Sequence, residues 1–110
     1  MEHTVNQITL RGQLQALPEF SHENHGRRFW RFTLEVERLS GALDTLPVIA
    51  EEQLIMDMDP TGGEMLTVTG QVRSHNQSTE TGRRLLIFVF AASIVAEDGP
   101  PINNVILEGP

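Results

Sequence analysis

Residues 63–94 read GEMLTVTGQVRSHNQSTETGRRLLIFVFAASI. Two apolar stretches flank a polar middle. From Glu64 to Arg73, Met65 or Leu66 leads a pattern continued by Val68, Gly70 and Val72 with polar residues between, the period of a strand with one buried face. Ser74 to Gly82 is polar and ends in glycine, which predicts a hairpin-like connection. Arg83 to Ala96 returns as a strand. Its run from Leu85 to Phe90 is apolar at every position, which predicts a covered sheet or a closed barrel.

The segments upstream supply the rest of such a barrel. Val5 to Leu14 alternates through Ile8, Leu10, Gly12 and Leu14, and Leu17-Pro18 ends it, because proline lacks a donor and restricts the residue before it. Glu19 to Gly26 is polar and predicts a loop. Phe29 to Leu39 predicts a second strand with Trp30, Phe32, Leu34 and Val36 on the core face. Phe29, Arg31, Thr33, Glu35 and Glu37 take the other face. After the Ser40-Gly41 turn, Leu43 to Ala50 predicts a third strand. Glu51 to Met58 has helical composition, with acids at the end that the helix dipole favours, and residues 59–63 stop it. Met56, Met58 and Met65 are expected to pack between helix and barrel. Three strands, a short helix and two strands give an all-β chain: a five-stranded OB-fold barrel with its helix between strands three and four. An SH3-like barrel is the alternative, though it does not normally carry a helix there.

A chain of 110 residues with 39% hydrophobic content suits one domain. It has no cysteine, so no disulfide, thiolate metal site or cysteine nucleophile. No apolar run is long enough to span a membrane, and no apolar segment follows Met1 to act as a leader; the expected location is cytoplasmic. Net charge is −7, which by itself argues against nucleic acid. The distribution argues otherwise. All eight basic residues are arginines, and none lies between Leu39 and Val72, where Asp44, Glu51, Glu52, Asp57, Asp59 and Glu64 fall. Arginine clusters therefore flank an acidic middle. No phosphate loop or catalytic triad pattern is present, so no enzymatic activity and no cofactor are expected. His22 to His25, HENH, lacks the helical spacing of a zinc pair, and Asp57 and Asp59 do not match a calcium loop; no metal is expected.

Four stretches carry a family likeness: N-x-I-x-L-x-G-x-L at residues 6–14, RFTLEVER at 31–38, DTLPVI at 44–49, and GEMLTVTGQVRS with TGRRLLIFVFAASI at 63–74 and 81–94. Gly70 to Ser74, G-x-V-R-S, is the most specific. In order and spacing they resemble the bacterial single-stranded DNA-binding proteins of the OB fold, over roughly Asn6 to Val95. The resemblance implies sequence-independent single-stranded DNA binding in replication, recombination or repair, and a homodimer or homotetramer. It also implies stacking aromatics at three places that here read Thr45, Glu51 and Gln77.

With those aromatics replaced, the residues expected to contact nucleic acid are Arg27, Arg28, Phe29 and Arg31 on one side of the barrel and Arg73, His75, Arg83 and Arg84 on the other. OB folds bind oligonucleotides between such loops. Arginine suits the task because its planar fork pairs with phosphate and stacks on bases. Two other readings remain open: a module resembling the primosomal replication protein B group, which joins replication proteins and binds DNA weakly, and an oligomerisation domain without a nucleic-acid ligand.

The chain also starts over. NQITLRG at 6–12 and NNVILEG at 103–109 share asparagine, a β-branched residue, leucine and glycine in register. This predicts an OB domain at 1–96, a linker at 97–102 and the truncated start of a second OB repeat at 103–110.

Overall fold

The computed structural model describes residues 4–97; the expected repeat start at 103–110 and most of the linker lie outside them. The elements are β1 (Ile8–Leu14), β2 (Glu19–Asn24), β3 (Arg27–Glu37), β4 (Leu43–Glu51), α1 (Glu52–Met58), β5 (Met65–Thr79) and β6 (Gly82–Ala96). Strand β1 pairs with β5 along its length and with β3 through Gln13 and Leu14. Strands β5 and β6, β3 and β4 pair antiparallel. A short parallel contact, Val48 to Val89 and Ile49 to Phe90, joins β4 to β6. The pairings β1-β5-β6-β4-β3-β1 thus run round in a ring, with the helix between the third and fourth strands of that ring, as the OB plan requires.

The core is what strand alternation predicts. Leu14, Leu34, Val48, Leu66 and Val68 are fully buried, with Phe32, Val89 and Ile55 of α1 packed among them. Each such side chain contributes about 1.5–3 kcal/mol of burial. Gly70 sets the curl of β5. The pairing slips there, from Thr69–Ser93 to Gly70–Ala91, and a Cβ at position 70 would stand 2.1 Å from the Phe90 carbonyl oxygen. Only glycine lets β5 approach β6 so closely at this bulge.

Four expectations need correction. Residues 19–24 are strand β2, not loop; β2 and β3 form a hairpin with Asn24 opposite Arg27. His25 and Gly26 both have positive φ (53° and 80°), as a two-residue type I′ turn demands. The β5–β6 hairpin keeps its ladder out to Thr79 and Gly82, so residues 74–79, expected as a polar connection, are strand. The apolar run of β6 is covered only in part: Leu85 and Ile87 are 58% and 53% exposed where the hairpin leaves the barrel. Met56 is exposed, while Met58 packs against the core.

Candidate nucleic-acid interface

A bulge in β2 decides what lines the outer face. Phe20 pairs with Trp30, but His22 pairs with Phe29, with the register shifted between them. Alternation would put Phe20 and His22 on one side; the extra residue puts them on opposite sides. Phe20 joins Trp30 edge-to-face, with ring centroids 5.9 Å apart. The His22 ring instead stacks on Phe29 at 4.9 Å and 14°.

From that stack a row of flat groups crosses the sheet. Phe29 lies 5.9 Å from Phe90. The Arg73 guanidinium sits 4.0 Å above the Phe90 ring, and Gln71 Oε1 accepts from its Nε and Nη2. Pro47 and Ile49 of β4 complete the floor, and the two hairpins form the walls of a cleft of about 750 Å³. Ser21, His22, Asn24, Ser74, His75, Leu86 and Phe88 line its rims.

Of the residues expected from the sequence, Phe29, Arg31, Arg73 and His75 converge on this cleft. Phe29 is on the predicted face, yet only 8% exposed beneath His22, so His22 presents the outer ring surface. Arg84 pairs with Gln77, in phase with His75 and Arg73, while Arg83 pairs with Ser78 one position out of phase. By the same alternation Arg27 shares the Phe29 side of β3 and Arg28 shares the Trp30 side. Sequence reading missed His22, Phe88 and Phe90 as cleft residues. Leu86, Phe88 and Phe90 stand opposite His75, Arg73 and Gln71 in the β5–β6 ladder, a face that a run apolar at every position does not single out in the sequence.

The arginines differ in what they already hold. Arg27 forks onto Glu51, with Nε and Nη2 donating at 2.9 and 2.7 Å. Arg28 donates to Glu52 at 3.0 Å and lies 3.8 Å from Glu23. Arg31 reaches Glu19 at 3.4 Å. Arg38 forks onto Asp44, and Arg11 holds Glu97. Among the described residues, Arg73, Arg83 and Arg84 form no ion pair with a carboxylate. The hydrogen bond from Arg27 holds the Glu51 carboxyl below its ordinary pKa. Glu52 is lowered first by the Trp30 Nε1–H, which donates at 2.9 Å, and then by Arg28.

Among solved structures, the dimeric N-terminal domain of PriB from Thermoanaerobacter tencongensis superposes with a TM-score of 0.73 at 36% identity, covering 86% of this chain and 98% of that one. The chain belongs to the PriB/SSB family of OB folds. A Plasmodium falciparum SSB in complex with single-stranded DNA has a TM-score of 0.72 at 19% identity, covering 89% and 99%. A small single-stranded DNA-binding protein from Streptomyces coelicolor has a TM-score of 0.67 at 19% identity, covering 86% and 97%. These two share the fold. No protein-family profile and no curated protein matches the sequence. Within the PriB/SSB fold this chain has an acid, Glu51, directly across the ladder from Phe29, and Gln77 in the long hairpin opposite Arg84.

Proposed function

We propose that this chain is a non-catalytic module that binds single-stranded DNA without sequence preference, in replication, recombination or repair at the nucleoid. The observation that carries the reading is the row His22, Phe29, Phe90 and Arg73 across a cleft walled by two hairpins. Flat faces stack bases, each worth about 1–3 kcal/mol, and the cationic hairpin arginines track phosphates. The strand would cross from the β2–β3 hairpin over β4 to the β5–β6 hairpin. Phe29, Arg31, Arg73 and His75 would form the floor and near wall, Arg84 the far wall, Arg83 the rim of the second hairpin, and Arg27 and Arg28 the rim of the first hairpin.

The similar domain is described as a dimer and as the N-terminal part of its protein. Both features support a homodimer or larger assembly here, with a second OB repeat beginning at residue 103. Modest affinity per domain then multiplies through repetition. The exposed Leu85 and Ile87 and the carboxylates on Arg27, Arg28 and Arg31 support a second reading, a primosome-type interaction module with weak DNA binding.

A competition between single-stranded oligo-dT and a duplex of equal length, scored by filter retention of the protein–DNA complex, tests the first reading. Preferential retention of the single strand is expected. Equal retention of both, or of neither, would reject it.

A further inference from the structure

Five of the eight arginines are bound to carboxylates within this chain, and their placement is uneven. On the β5–β6 side, Arg73, Arg83 and Arg84 meet none among the described residues. On the β2–β3 side, Arg27, Arg28 and Arg31 all do. The tightest cleft-face pair is Arg27 with Glu51, where two guanidinium nitrogens and both carboxylate oxygens engage. That bidentate fork is the geometry in which a guanidinium takes a phosphodiester. Glu51 stands opposite Phe29 across the β3–β4 ladder, so its charge also borders the path of the strand.

We propose that Glu51 is an affinity-limiting residue: it acts as a built-in competitor anion that occupies the Arg27 fork and confines phosphate contacts to the β5–β6 hairpin. The proposal rests on the single-strand reading of the cleft. A phosphate that took Arg27 would have to displace the carboxylate and leave it unpaired beside the backbone, like charge against like charge. DNA therefore engages Arg73 and Arg84 and leaves Arg27 with its partner. Glu19 on Arg31 is a weaker instance, with one contact at 3.4 Å.

The test compares the wild-type chain with Glu51→Gln in titrations of labelled oligo-dT across a salt series. Each released phosphate contact adds about −0.7 to the log–log salt slope. E51Q is expected to bind more tightly than the wild type, with an advantage that grows about fivefold for each tenfold drop in salt, because one added contact changes the log–log slope by about 0.7. Its slope is expected to steepen by about 0.7. Adding Arg27→Gln to E51Q should abolish both gains. Asp44→Asn removes the same charge from a pair far along β3 and controls for net charge; it should leave the slope unchanged. Circular dichroism of each variant checks the fold. Binding by E51Q where the wild type shows none would overturn the proposal as stated, because the β5–β6 arginines alone would then not hold the strand. Wild-type binding with an unchanged E51Q slope would overturn it and spare the single-strand reading. Equal gains from E51Q and D44N would overturn it as a mere net-charge effect. Binding by neither wild type nor E51Q would overturn both.

Discussion

The guanidinium of Arg73 lies 4.0 Å above the ring of Phe90, held there by Gln71. The pair places a cation and an aromatic face at one point on the cleft floor, on neighbouring strands of the closing sheet. A base stacked on either partner would have its phosphate within reach of the same hairpin.

Arg73→Ala is therefore expected to weaken oligo-dT binding and to make its salt slope shallower by about 0.7. Phe90→Leu keeps apolar volume but removes the ring face. It is expected to cost about 1–3 kcal/mol of binding with the salt slope unchanged. Titrations of both variants separate the two terms; identical slopes for Arg73→Ala and wild type would remove Arg73 from the phosphate path.

Trp30 is the single tryptophan, and it lies on the side of β3 opposite Phe29, against Phe20 and Glu52. Its emission is expected to change little when oligo-dT saturates the cleft and to shift in Glu52→Gln, which removes the carboxylate that its Nε1–H meets. Strong quenching by oligo-dT would put the strand on the other side of the sheet.

Gly70→Ala introduces a Cβ 2.1 Å from the Phe90 carbonyl oxygen. The backbone must give way, at a cost of about 2–3 kcal/mol, or roughly 10 °C or more in Tm for a domain of this size. Differential scanning calorimetry measures it. A Tm within a degree or two of wild type would show that the β5–β6 bulge has slack.

Asp44, Glu51, Glu52 and Glu97 all have pKa values lowered by donors that exist only in the folded chain: Arg38, Arg27, Trp30 with Arg28, and Arg11. A carboxyl whose folded pKa is below its unfolded value contributes stability at pH above the unfolded value, about 4. That contribution is lost as pH falls through the folded value. Thermal unfolding at low salt is expected to show a level Tm from neutral pH to about 5 and a decline below about 4. Added salt should shrink the decline, because the pairs are exposed. A Tm that rises on acidification would mean that relief of the −7 net charge outweighs the pairs.

The barrel was legible because its core strands alternate cleanly: Leu34 and Phe32, Leu66 and Val68 carry the period by themselves. Strand β2 was not, since EFSHEN is polar on both sides and its bulge breaks the alternation; only His25-Gly26 signals the turn. Phe29 could be assigned a face but not its cover, because the His22 stack depends on that bulge. Phe88 and Phe90 hid in a run that is apolar at every position, where sequence cannot tell the core side from the cleft side. The ion pairs were equally out of reach. Arg27 and Glu51 are far apart in sequence and meet only through the pairing of β3 with β4.

The most direct measurement is fluorescence anisotropy of a labelled oligo-dT of about 30 nucleotides, titrated with the wild-type chain at low and moderate salt. Saturable binding is predicted, weakening with a log–log slope of about −1.4, about −0.7 for each of Arg73 and Arg84, the cleft-side arginines free of carboxylates. No binding at tens of micromolar protein in low salt would contradict the assignment of the cleft to single-stranded DNA.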